Sequence, residues 1–156
     1  MPTSTAARYV RAQCSCCLTT SCSDAGCALV LPRGHGELAC ISGSQFQSHH
    51  KMRGRLCDCM IFWSSGGRDI FAPAELKGGH VKATNCLVQL QNAARLAQTL
   101  LGTAYQKIRF EPLIVHKGGL HTNEIKVLRN RRITFRSQRR LAALVKSGTR
   151  LATAVA

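Results

Sequence analysis

Carboxylates are scarce in this chain, seven among 156 residues, and two of them stand inside apolar runs that would ordinarily exclude them. Asp58 interrupts Leu56-Cys57-Asp58-Cys59-Met60-Ile61-Phe62-Trp63, and Glu75 interrupts Ile70-Phe71-Ala72-Pro73-Ala74-Glu75-Leu76. A carboxylate buried among such neighbours is costly unless a cation or a metal compensates it. Strand side chains alternate, so Glu75 and Lys77 share a face, and hairpin pairing brings Asp58 to the same face. Two carboxylates and an ammonium then converge. Two hard oxygen ligands suit Mg²⁺ or Mn²⁺. Such an ion would polarise a phosphodiester and activate a water, while Lys77 orients that water or offsets developing negative charge.

The elements that must hold this trio follow from the flanking pattern. Ser64-Ser65-Gly66-Gly67 reads as the turn of a β-hairpin whose arms carry Asp58 and Glu75. Gly78-Gly79 ends the second arm. Between Lys82 and Leu101, apolar Cys86, Leu87, Leu90, Ala94, Ala97, Leu100 and Leu101 recur at three- and four-residue steps, which predicts an amphipathic helix closed by Gly102. Pro112-Leu113-Ile114-Val115-His116 predicts a buried strand. Ala28-Leu29-Val30-Leu31, Ile133-Thr134-Phe135 and Leu141-Ala142-Ala143-Leu144-Val145 predict shorter ones, and residues 42–54 read as a polar, flexible stretch. The order predicts an α/β (α+β) fold in a single domain, with residues 1–27 a Cys-rich N-terminal segment and residues 28–156 the main body. Within the Cys-rich segment, residues 14–27 read as a short helix followed by irregular backbone. Pro73 lacks an N–H and is expected at a bulge or a sheet edge.

Asp58 followed 17 residues later by Glu75-Leu76-Lys77 resembles the PD-(D/E)xK nuclease superfamily, the restriction-endonuclease-like fold. The resemblance spans residues 56–116. It implies a mixed β-sheet flanked by helices, with the Asp on the second core strand, the Glu and Lys on the third, then a helix and a further strand. It implies Asp58 and Glu75 as metal ligands and Lys77 as the catalytic lysine. Some members add a glutamine in the following helix, for which Gln89 is the candidate and Gln91 the rival on a different face. An acid from an early helix sometimes completes the site, and Glu37 is the candidate for it. Cys57 stands where many members have Pro. Glu124-Ile125-Lys126 is a second Glu-x-Lys, but no strand with an embedded Asp precedes it, so context singles out Glu75 and Lys77.

Charge points to the partner. The chain carries a formal +15, and the excess is uneven: residues 1–100 hold 10 basic and 5 acidic side chains, residues 101–156 hold 12 and 2. Such a surface attracts polyanions. Arg129, Arg131, Arg132, Arg136, Arg139 and Arg140 are interleaved with Ile133, Phe135 and Leu141, the pattern of an ordered basic face rather than a free tail. Arginine forks match phosphate oxygens, so these six are candidate contacts to a nucleic-acid backbone, DNA by resemblance to the family. The resemblance also implies a homodimer for cutting two strands. A hydrophobic fraction of 45% excludes whole-chain disorder, and no apolar run reaches membrane-spanning length. Arg8 and Arg11 have no apolar segment behind them, which predicts no secretory signal and a cytoplasmic protein.

Nine cysteines in such a compartment read as thiols or metal ligands, the odd number arguing against a fully paired framework. Cys14-x-x-Cys17 has the spacing of half a zinc knuckle, but no second Cys-x-x-Cys completes it, so structural zinc is not favoured. Cys57 and Cys59 alternate with Asp58 and are expected to face away from the site. His116 ends a strand where it could overlook the site. The alternative function is a non-catalytic, basic nucleic-acid-binding protein stiffened by Cys-bound zinc.

Overall fold

The computed structural model describes residues 4–156, so the first three residues of the Cys-rich segment lie outside the described residues. Thr5 caps helix α1 (Ala6–Gln13) by accepting the Arg8 N–H at 3.2 Å, and Ala6, Ala7 and Val10 are buried along it. A 3-10 turn at Ser15–Cys17 leads to a small hairpin of β1 (Cys22–Asp24) and β2 (Cys27–Leu29). The short helix expected in this segment is the 3-10 turn at Ser15–Cys17, and a hairpin replaces the irregular backbone expected after it. Strand β3 (Glu37–Ser42) runs directly into α2 (Gly43–His50). The stretch expected to be flexible is thus helical, capped by Ser42 Oγ accepting the Gln45 N–H and closed by Lys51 at φ +50°.

Strands β4 (Cys59–Ser65) and β5 (Arg68–Lys77) form the expected hairpin. Gly66 and Gly67 take φ of +59° and +76°, the two left-handed conformations that match a tight turn to strand twist. Helix α3 (Ala83–Leu101) follows, then β6 (Arg109–Phe110), β7 (Leu113–His116), α4 (Thr122–Asn130), β8 (Ile133–Phe135), β9 (Gln138–Arg140), β10 (Ala143–Lys146) and α5 (Leu151–Ala154). Three of the expected strands shift: the one expected from residue 56 begins at Cys59, the one expected from 141 begins at Ala143, and the one expected over 28–31 spans 27–29.

The main sheet is mixed, in the order β10-β7-β5-β4-β3, with β6 also paired to β5. β3, β4 and β5 are antiparallel, while β7 runs parallel to β5 and β10 parallel to β7. Alternation divides its side chains between two apolar layers. Met60, Phe62, Phe71 and Ile114 join α1, α2 and α3 on one face. Cys59, Ile61, Ala72, Ala74, Leu76, Leu113 and Val115 join the β1–β2 hairpin and α5 on the other. The result is one mixed α/β domain, and no helix among the described residues is long and apolar enough to cross a membrane.

Pro73 is in a central strand, neither at an edge nor at a bulge. It stays in continuous register opposite Met60 on β4. On the other side, β5 pairs with β6 through Ile70 and Phe71 and with β7 from Ala74 onward. Pro73 falls in the gap between those two partners, where a missing N–H leaves no rung of the ladder broken.

Candidate active site and its surroundings

Asp58 lies one residue before β4, in a bend whose position α2 fixes: the Gly43 N–H donates to the Asp58 carbonyl at 2.9 Å. Any Cβ on Gly43 would collide with the Cys57 carbonyl oxygen, so only glycine allows this approach. Asp58 then meets the end of β5. Its N–H donates to Glu75 Oε1 at 3.1 Å, and its Oδ2 accepts the Leu76 N–H at 2.7 Å. Lys77 Nζ stands 3.4 Å from Glu75 Oε2. The trio that the sequence placed on one face is assembled.

The electrostatics are those of a crowded anionic pair. Glu75 is 1% exposed, and its pKa is pushed up from 4.5 to about 8, by burial first and by the Asp58 carboxylate second, with Lys77 pulling the other way. Gln89 comes from α3. Its Nε2 donates to the Leu56 carbonyl at 3.4 Å, while its Oε1 is buried without any hydrogen-bond partner. Gln91 is committed elsewhere, pairing with both the N–H and the carbonyl of Thr134 on β8. Asp58, Glu75, Lys77 and Gln89 line a cavity of about 250 Å³ together with two residues the sequence did not single out, Asp24 and Arg55.

Two carboxyl groups, of which Glu75 keeps its proton to about pH 8 when no cation is bound, and an orphaned amide oxygen form an all-oxygen donor set, and a hard divalent cation that displaces that proton fits such a set. Asp58 and Glu75 would hold it, with the Gln89 oxygen and Asp24 beside them.

Asp24, on β1, lines the cavity to which Glu37 was expected to contribute a further acid. Glu37 is on β3 and is bonded to Arg8 of α1 at 2.8 and 3.1 Å, so it is not part of this cavity. Asp24 was not legible because its approach is tertiary: the β1–β2 hairpin is tied to the sheet by a Cys22–Cys59 disulfide, with Cα atoms 6.0 Å apart. Arg55, three residues before Asp58, could have been found from proximity alone.

The cysteines correct the expectation of thiols or metal ligands throughout. Besides Cys22–Cys59, Cys16 pairs with Cys17, leaving Cys14, Cys27, Cys40, Cys57 and Cys86 free and buried. Cys17 is therefore not a zinc partner for Cys14. Cys16, His49 and His50 lie within ligand distance of one another and are exposed, but Cys16 is committed to the same disulfide and offers no thiolate. Cys59 faces away from the site as expected. Cys57 does not: it lies in the α3-side layer, and burial and the nearby Glu75 and Asp58 charges push its thiol up, because alternation does not extend into the bend before β4. His116 is level with Lys77 across the β5–β7 ladder, its Nδ1 accepting the Gly118 N–H at 3.1 Å, but it does not line the cavity.

Arg129, Arg131, Arg132 and Arg139 are exposed around the end of α4 and the β8–β9 hairpin. Arg140 is shared with Glu111 at 3.7 Å. Arg136 is not available as a phosphate contact. Its guanidinium donates to the carbonyls of Gly102, Ala104 and Tyr105, and its N–H donates to Gln98, clamping the hairpin turn onto the end of α3. Compared with family models, with curated proteins and with solved structures, the chain matches none.

Proposed function

We propose that this protein is a Mg²⁺- or Mn²⁺-dependent nuclease of restriction-endonuclease-like fold that hydrolyses nucleic-acid phosphodiesters, DNA by preference, as a homodimer. The observation that carries it is Glu75, buried to 1% exposure between Asp58 and Lys77 at the wall of a cavity. A carboxylate in that position is strained in the absence of a cation and suited to one in its presence. The order of elements supports the fold: Asp58 stands in the bend just before β4 rather than on it, Glu75 and Lys77 close β5, and α3 and β7 follow.

A bound divalent ion would supply charge neutralisation and polarisation of the scissile phosphate. The chain's own residues do the rest. Glu75 is held by the Asp58 N–H and Asp58 by the N–H of Leu76. Lys77 Nζ, with 29% of its side chain exposed, can donate to the attacking water or to a phosphate oxygen while its contact with Glu75 fixes its direction. Arg55 stands at the same cavity as a second cation, and Arg129, Arg131, Arg132 and Arg139 supply backbone grip.

The test is cleavage of single-stranded DNA, duplex DNA and RNA in Mg²⁺, Mn²⁺ or EDTA, beside a folded Lys77→Ala protein. Metal-dependent cutting that falls by about 100- to 1,000-fold in Lys77→Ala, with binding retained, supports the nuclease. Binding with no cutting in either metal overturns it in favour of a non-catalytic nucleic-acid-binding protein.

A further inference from the structure

A second cavity, of about 370 Å³, adjoins the end of β5 and shares no lining residue with the first. β5 and β7 are parallel and level at Lys77 and His116, so both chains leave the sheet side by side. Each leaves through a glycine pair, 78–79 and 118–119, and these loops with His80, Lys117 and His121 line the cavity. The two imidazole rings lie 4.9 Å apart between centroids. Among the described residues none of the three basic side chains has an acidic partner, and no carboxylate lines the cavity. Glu124, the acid nearest His121 in sequence, accepts the Ala83 N–H at 3.0 Å.

The glycines give the cavity its second property. Gly118 and Gly119 adopt φ of +120° and +74°, which bulkier residues avoid, and nothing stands within 4 Å of a Cβ built on Gly79 or Gly118. Gly79 and Gly118 thus present bare backbone to open space in a cavity whose lining includes the three basic residues, Lys117 reaching toward Gly26 of the β1–β2 turn. Such a pocket suits an oxyanion. Consecutive Cα atoms are about 3.8 Å apart, so Gly79 is within about 7.6 Å of Lys77. A nucleic-acid strand carries one phosphate per about 3.4 Å of helix axis.

We propose that this pocket is a phosphate subsite, in which His80, Lys117 and His121 hold a phosphate of the strand being cut, one or two nucleotides from the scissile one. The proposal rests on the nuclease reading for the identity of the strand, but not for the anion. The phosphate is either an internal diester or a terminal monoester, and both present the same oxyanion.

The experiment is equilibrium binding in EDTA of short single-stranded DNAs ending in 5′-phosphate, 3′-phosphate or hydroxyls only. The proteins compared are the unmodified chain, His80→Ala/His121→Ala and Gly79→Glu, each checked for folding by circular dichroism. Gly79→Glu adds a negative charge where the backbone is not left-handed and space is open, so it tests the pocket even if the double variant folds poorly. The expected result is about tenfold weaker binding for both His80→Ala/His121→Ala and Gly79→Glu. Loss on every DNA identifies an internal diester, and loss only on one phosphorylated end identifies a monoester. Unchanged affinity in folded Gly79→Glu on all three DNAs overturns the subsite. Because no metal or cleavage enters this measurement, absence of nuclease activity would leave its outcome separately readable.

Discussion

Asp58 and Glu75 are tied crosswise: the Asp58 N–H donates to the Glu75 carboxylate, and the Asp58 carboxylate accepts the N–H of Leu76, the residue after Glu75. Each backbone therefore orients the other's acid. The pair is preorganised before any ligand arrives, and its mutual repulsion is built in by the fold.

Burial first, and the Asp58 carboxylate second, give Glu75 a pH signature. Glu75 is raised from 4.5 to about 8, so between those values the folded state holds a proton that the unfolded state has lost. Its contribution to stability is complete below about pH 4.5 and is lost as pH rises toward 8. In EDTA, Tm is expected to fall by about 5 °C or more between pH 5 and 8.5, and Glu75→Gln to flatten that dependence. Adding Mg²⁺ at pH 8.5 should recover Tm in the unmodified protein and not in Glu75→Gln. Differential scanning calorimetry reads all three.

Gln89 and Gln91 separate site from scaffold. Gln89→Ala removes an unpartnered oxygen at the cavity and should lower metal-dependent cleavage by about 10- to 100-fold with little change in Tm. Gln91→Ala breaks two bonds to Thr134 and should cost about 1–3 kcal/mol in urea denaturation while leaving cleavage intact.

Asp24 and Glu37 form a second contrast. Asp24→Asn is expected to weaken Mg²⁺-dependent cleavage by about tenfold, measured as a shift in the Mg²⁺ concentration for half-maximal rate. Glu37→Gln, which only frees Arg8 at the far end of β3, should leave that titration unchanged.

The arginines divide the same way. Arg131→Ala, Arg132→Ala and Arg139→Ala should each lower the salt slope of DNA binding by about 1. Arg136→Ala should instead destabilise the fold by about 2–4 kcal/mol, because three carbonyls at the end of α3 lose a charged donor.

What the sequence made legible follows from periodicity. The β4–β5 hairpin is visible in its Gly66-Gly67 turn, α3 in its three- and four-residue apolar steps, and the convergence of Asp58, Glu75 and Lys77 in strand alternation. Helix α2 was hidden because only Gly43 and Phe46 of its eight residues are buried, and its caps at Ser42 and Lys51 define it more than its pattern does. β1 and β2 are three residues each, too short for alternation to register. Asp24 reaches the site through a disulfide between residues 37 apart, and no local pattern encodes that. Arg136 looked like its neighbours because only tertiary structure brings the carbonyls of α3 to it.

Pro73 has a consequence for assembly. A one-residue slip of β5 would turn Glu75 and Lys77 to the opposite face, into the layer of Cys59, Ala74, Leu76 and Val115. It would also put the proline at a position whose backbone is aimed at β4, as Leu76 is aimed at Asp58, where the ladder requires an N–H that proline lacks. The residue least suited to a central strand therefore acts as an alignment mark: misthreaded sheets are penalised twice, and the pairing that survives is the one that builds the acidic pair.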